Sequence, residues 1–326
     1  MAMERVPYLV GGGFEHSAEV MRSMLAASTS GAEGIVTPGD FKVQPLPVPG
    51  TSVRVAPGNA LIRNSYGGGS AQTYAARAGS QTELPIQATG SSGARADLIV
   101  ARIDDPTYEG GAFDPGTFEA AKFEVIQGVN TNQKSVAGLG LTYPAIPLAR
   151  INIPASTGTI TTAMITDLRS VALPRMQRHL FTHNLSTEET DHINPDAGHE
   201  MGEPWPNVWW EFHIPDWATR VRVRALLGGV RVEGRDPNNY GELFVRFGTV
   251  PTGFSTQHGR WDNSMAGGIT RETFMVADDR TVPSSFRGTD SQAAIRASRH
   301  IANSNTPRLD TFSSISLDLE FYETAV

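Results

Sequence analysis

The sequence predicts a mainly all-β protein: an N-terminal β-rich domain with one short helix over residues 1–173, and a C-terminal β-sandwich or jelly-roll-like domain over 205–326. Three observations carry this. The 326 residues include 33 glycines and 21 prolines, a turn-rich composition that suits strands better than helical bundles. Apolar residues recur in short alternating runs bounded by turn residues, the period-two signature of strands. Residues 174–204 (PRMQRHLFTHNLSTEETDHINPDAGHEMGEP) hold four of the eight histidines and show no sustained period, so they read as a linker.

The elements follow in order. Ser17 is placed to cap a helix over residues 18–29, with Val20, Met24 and Leu25 on one face and Gly31 at its end. TPGDF at 37–41 is turn chemistry. SVRVAPGNALIR at 52–63 predicts two short strands around Pro57-Gly58. Further strands are predicted at 96–104, 122–129 and 146–153. In the C-terminal part, NVWWEFHI at 207–214 is aromatic-rich, and TRVRVRALLGGVRV at 219–232 predicts a hairpin turning at Gly228-Gly229. Residues 242–247, 271–277, 293–301 and 313–321 add four strands. In the last, Ile315, Leu317, Leu319 and Phe321 share one face. Residues 291–302 also fit a helix, but Ile295, Ala297 and Ile301 suit a strand better.

Composition excludes several chemistries. There is no cysteine, so no disulfide, thiolate zinc site or cysteine nucleophile. The formal net charge is -7, against the basic surface that tracking nucleic acid requires. No apolar run approaches the roughly 20 residues of a membrane span, and the opening MAMERVPYLVGGGFEHS has no signal-peptide pattern. Of 27 basic residues only Lys42, Lys122 and Lys134 are lysine, a bias of GC-rich coding genomes.

The candidate chemistry is thin. His179 and His183 are spaced i, i+4, as two zinc ligands on a helix would be, and His192 and His199 lie nearby. HLFTH lacks the adjacent glutamate of a metalloprotease, so solvated linker histidines are the expectation. Asp104-Asp105 and Asp278-Asp279 could supply paired carboxylates, but neighbours along a strand point to opposite faces and both pairs end strands, where solvated turn acids are expected. The glycines at 11–13 and 67–69 lack the spacing of a phosphate loop, and no GxSxG occurs. The sequence therefore predicts no enzyme, no metal and no cofactor. All five tryptophans lie at or after Trp205. Trp209 and Trp210 read as core. Trp261, in the loop-like HGRWDNS, combines a flat apolar ring with Arg260, Asp262 and Asn263, the groups that stack and hydrogen-bond a sugar. These four are the candidate glycan contact.

Three stretches carry a family resemblance: VRVAPGNALIRNSYGGGSAQTYAA at 53–76, ATGSSGARADLIVARIDDPTY at 88–108, and YPAIPLARINIPASTGTITTAMITDLRSVAL at 143–173. Together they resemble the N-terminal domain of minor tail (baseplate-associated) proteins of siphophages that infect GC-rich actinobacteria. The resemblance spans about residues 1–175 and consists of fold signatures without catalytic residues. It implies a structural virion protein made in the host cytoplasm. The implied partners are other phage tail and baseplate proteins, further copies of itself, most simply as a trimer, and host cell-surface glycan.

Overall fold

The computed structural model describes residues 16–67, 71–91, 93–110, 113–187, 203–234, 240–249, 252–262, 268–299 and 307–326. The chain is mainly all-β, as its composition predicts, and divides into two units, residues 1–174 with 324–326, and residues 175–323.

The first unit opens with helix α1 (Ala18–Ser28), whose N-terminus is capped by the Ser17 hydroxyl accepting from Glu19 N–H at 3.1 Å. Three small antiparallel sheets follow. One contains β1 (Gly34–Ile35), β4 (Gly58–Arg63) and β5 (Thr73–Ala78). A second contains β2 (Val43–Pro45), β3 (Ser52–Val55) and β6 (Thr82–Pro85). The third, in the order β10-β9-β7-β8, is built from β7 (Arg95–Ile103), β8 (Ala121–Val129), β9 (Ala145–Ile153) and β10 (Ile165–Asp167). The short helix α2 (Pro106–Glu109) follows β7. The two strands predicted around Pro57-Gly58 exist as β3 and β4, yet they belong to different sheets. The TPGDF turn closes through Asp40, whose carboxylate accepts from Thr37 N–H at 2.9 Å.

The near-continuous apolar run of β7 has a physical reason. One face, Ile99, Ala101 and Ile103, joins the main core with Val53, Ile62, Leu148 and Ile151. The other face, Leu98 and Val100, is covered by Val136, Leu139, Leu141 and Tyr143 from the 130–143 loop. A strand buried on both sides has no polar face to alternate with.

The second unit is a β-sandwich. One sheet runs β11-β20-β14-β18, from β11 (Met176–Asn184), β14 (Arg220–Gly234), β18 (Gly268–Thr281) and β20 (Ser314–Tyr322). The other is organised on β15 (Tyr240–Phe247) and β19 (Thr289–Arg299). Onto these pair β12 (Glu203–Pro204), β13 (Trp210–Ile214), β16 (Phe254–Ser255) and β17 (Gly259–Asp262). Val221, Val223, Ala225 and Leu227 of β14 and Ile315, Leu317, Leu319 and Phe321 of β20 meet Leu243, Val245, Phe247 and Ile295 of the opposite sheet in one core. The apolar face predicted for 313–321 is thus the observed one, and 293–299 is strand.

Three expectations are corrected. First, the 174–204 stretch is not simply a linker, because β11 occupies 176–184 and pairs with β20 along its whole length. Its inward residues include His179 and His183 beside Phe181, so its own pattern is too polar to show a period. The partner strand, rather than the strand's own residues, fixes it. Second, 219–232 is one continuous strand rather than a hairpin: residues on both sides of Gly228-Gly229 pair with β18, and the two glycines sit in a bulge between Leu227 and Val230. Gly229 has φ 71, and a Cβ there would lie 2.7 Å from the Phe312 carbonyl oxygen. The position therefore demands glycine without reversing the chain. Third, α1 buries Ala26 and half-buries Val20, Arg22 and Leu25, while Met24 of the predicted face is left 45% exposed.

Candidate functional site

The predicted glycan contact is rearranged. Gly259–Asp262 is strand β17, paired with β15 so that Trp261 stands opposite Gly241. The indole crosses the bare Cα of Gly241, where a Cβ would approach it to 2.3 Å, and stacks on Phe274 with centroids 5.2 Å apart and planes 12° apart. Trp261 is 7% exposed and belongs to the sandwich core. Its face is already occupied by protein, so it is no platform for a sugar ring. Arg260 points to solvent, with its Nε 3.6 Å from the buried Glu242 carboxylate, which His258 also contacts at 2.6 Å. Asp262 is exposed, and Asn263 lies outside the described residues. Gly259–Asp262 is therefore a short strand anchored by its tryptophan. The signal in the sequence was Gly241, the residue the indole needs opposite it. Trp205 and Trp210 are core as well.

His179 and His183 lie on a strand, where four residues span about 13 Å. They share a face without converging on one point. His179 rests among Phe181, Phe212 and Phe321, and burial lowers its pKa. His192, His199, Glu188, Glu189 and Asp191 lie outside the described residues. Among the described residues no group of three or more His, Asp or Glu is placed to hold a metal, and no helix is long and apolar enough to cross a membrane.

The first carboxylate pair is buried rather than solvated, and the second lies within β18 with Asp279 exposed. Asp104 and Asp105 are 5% and 8% exposed. Asp104 pairs with Arg102 and, at 2.5 Å, with Lys122. Asp105 faces the other way, toward α1. It caps α2 through Thr107 N–H at 2.9 Å, accepts from the Tyr74 hydroxyl at 2.8 Å, and pairs with Arg22 at 3.2 Å. Arg22 Nε in turn donates to Gln72 at 2.7 Å, and its guanidinium lies over the Tyr74 ring. The Tyr66 hydroxyl bonds Glu109 at 2.6 Å, and its ring stacks on Tyr108. This network fastens the helix to the sheets. The acids in it are each held by a hydrogen bond or an ion pair within the network. Asp279 is likewise bound, to Arg220 at 3.0 Å and the Tyr322 hydroxyl at 2.6 Å.

The latter contact belongs to a surface that the sequence only hinted at. On the outer face of the β11-β20-β14-β18 sheet, directly opposed residues form cross-strand rows. Met176, Tyr322, Arg220 and Thr281 make one row. Arg178, Glu320, Arg222 and Asp279 make the next, then Leu180, Asp318, Arg224 and Ala277. Thr182, Ser316, Leu226 and Met275 make the fourth. Arg178 grips Asp318 with two hydrogen bonds of 2.7 Å, Arg222 pairs with Glu320 at 2.7 Å, and the Arg222 guanidinium lies 4.3 Å from the Tyr322 ring centroid. Exposed pairs of this kind add little to stability. They do fix guanidinium groups on a face whose apolar side chains remain open: Met176 and Leu180 are each 62% exposed and Met275 63%.

No known family model matches the chain, and no curated protein sequence does. Solved structures it is similar to include the VP2 subviral particle of infectious bursal disease virus, at 10% identity and TM-score 0.28 over 90% of this chain and 70% of that one. The Gx strain of the same virus matches at 12% identity and TM-score 0.25, over 90% and 67%. The Cry4Aa toxin from Bacillus thuringiensis matches at 6% identity and TM-score 0.20, over 90% and 54%. At these scores the likenesses carry no argument about what the chain does.

Proposed function

We propose that this chain is a non-enzymatic structural protein of a bacteriophage virion, a component of the tail tip or baseplate. The first unit docks on neighbouring tail proteins, the second faces outward toward the host surface, and the chain acts as a symmetric homo-oligomer, a trimer. The observation that carries this reading is the outer face of the β11-β20-β14-β18 sheet. Arginine, tyrosine, methionine and leucine side chains are fixed there on a rigid scaffold, the residue types enriched where proteins bury one another. The sequence resemblance supports the same reading, since its three stretches fall on β3 to β5, on β7 with α2, and on β9 with β10, all within one folded unit. Closed rotational symmetry is the ordinary way to build a ring of such copies.

The test is a pair of charge insertions. Leu226→Glu with Met275→Glu places two carboxylates on directly opposed, exposed positions. Stability should change by no more than about 0.5 kcal/mol per site, while mass photometry should show loss of the oligomer and particles should fail to incorporate the variant. Wild-type assembly by the folded double variant would overturn the assignment of this face. The absence of catalysis is checked separately: purified protein should release neither sugar nor peptide from host envelope. Release that disappears on substituting a single Asp or Glu would overturn the non-enzymatic reading.

A further inference from the structure

We infer that an open depression beside the β13–β19 edge of the second unit is a binding site for a neutral, polyhydroxylated ligand, a short glycan. The depression encloses about 730 Å³, within the range of small-molecule sites. Its lining contains no residue of β17.

Its floor is set by strand register. Glu211 stands opposite Gln292 and His213 opposite Asp290, so four polar side chains lie side by side on one face. His213 Nδ1 is 2.9 Å from the Asp290 carboxylate, which orients both groups. Thr249 and Thr252 line one side, and Ser285 and Phe286 another. The Phe286 ring is held edge-on to Phe254, with centroids 5.2 Å apart. Behind the rim, the buried Ser291 Oγ has no hydrogen-bond partner among the described residues.

The chemistry of these groups selects the ligand class. A sugar hydroxyl both donates and accepts, so it needs carboxylate or amide acceptors interleaved with hydroxyl and imidazole groups. A sugar's C–H face needs one fixed apolar ring, which Phe286 supplies. Two carboxylates with no Lys or Arg in the lining disfavour phosphate, sulfate and acidic sugars. A shallow site of exposed groups holds each copy weakly, and repeated copies raise the affinity through effective concentration.

The inference rests on the host-contact part of the proposed function and is independent of the assembly face. A soluble, full-length protein can be tested without any particle. The probes are maltotriose, chitotriose and lactose, with 3′-sialyllactose as the acidic counterpart. Saturation-transfer NMR should show millimolar binding of at least one neutral probe, weakened at least about tenfold, or about 1.4 kcal/mol, in Glu211→Ala and in Gln292→Ala. Glu211 is exposed and Gln292 half-buried, so both substitutions should leave the melting temperature nearly unchanged, and Leu226→Glu should leave sugar binding unchanged. Three results would each overturn the site: no transfer to any neutral probe, binding that survives both alanine variants, or preference for the sialylated probe. Failure of assembly alongside intact sugar binding would count only against the assembly face.

Discussion

Trp261→Ala is expected to destabilise the second unit by about 3–5 kcal/mol, the cost of emptying a large aromatic site in a core. The indole is 7% exposed, stacks on Phe274, and fills the space left by the missing side chain of Gly241. Neither neighbour can collapse into the void: Phe274 is tied into β18, and Gly241 has no side chain to move. The loss should appear as a lower melting temperature and a lower urea midpoint, with unfolding of the sandwich accounting for any loss of cell binding. Trp261→Phe separates packing from contact. It keeps a ring against Phe274 and removes the indole Nε1, which is buried without a hydrogen-bond partner among the described residues, so it should recover much of the stability. A Trp261→Ala variant as stable as wild type yet unable to bind host cells would restore the exposed-platform reading.

Asp105→Ala should be the most damaging polar substitution in the first unit, at about 3 kcal/mol, the lower end of what breaking a buried pair costs, because both partners keep slight solvent contact. It strands Arg22, whose side chain is 13% exposed, leaves the Tyr74 hydroxyl without its acceptor, and removes the cap of α2. The pH dependence is a second readout. Burial by itself would raise the Asp105 pKa; the hydrogen bonds from Thr107 and Tyr74 and the charge of Arg22 outweigh it, and the carboxyl ends below its ordinary 3.8. The folded state therefore binds this proton less readily than the unfolded chain. The stabilisation is complete above that ordinary value and is lost as pH falls through the lower folded one. Urea melts from about pH 7 down to about pH 3 should thus show the difference between wild type and Asp105→Asn narrowing at the acid end. A difference constant across that range would mean that Asp105 acts through shape alone.

Much of this architecture is legible in the chain itself. The inward faces of β20 and β14 follow from Ile315, Leu317, Leu319 and Phe321 and from Val221, Val223 and Ala225, because strict alternation leaves one way to bury them. The Ser17 cap and the Asp40 turn are local hydrogen bonds between near neighbours, which short sequence windows contain. Elements whose partners are distant are not legible. β11 is a strand because β20, far along the chain, offers it a full ladder of backbone bonds, although its own residues do not alternate between apolar and polar. Gly228-Gly229 has the residues of a turn, and only the continuing partner strand β18 makes it a bulge.

The sites divide in the same way. Residue types alone exclude cysteine chemistry and a GxGxxG or GKS/T phosphate loop, and they place all five tryptophans in the second unit. They could not say which tryptophan is covered, because burial of Trp261 depends on a glycine directly across the sheet and on Phe274 of another strand. Nor could they pair Arg22 with Asp105 or set Glu211 and His213 beside Gln292 and Asp290. Composition and periodicity are local properties, and they determined that this protein is all-β and which faces of its regular strands are apolar. Side-chain partnership joins residues that are separated in the chain and brought together by strand register, so the covered tryptophan, the neutralised acids and the polar depression were decided only by the tertiary structure.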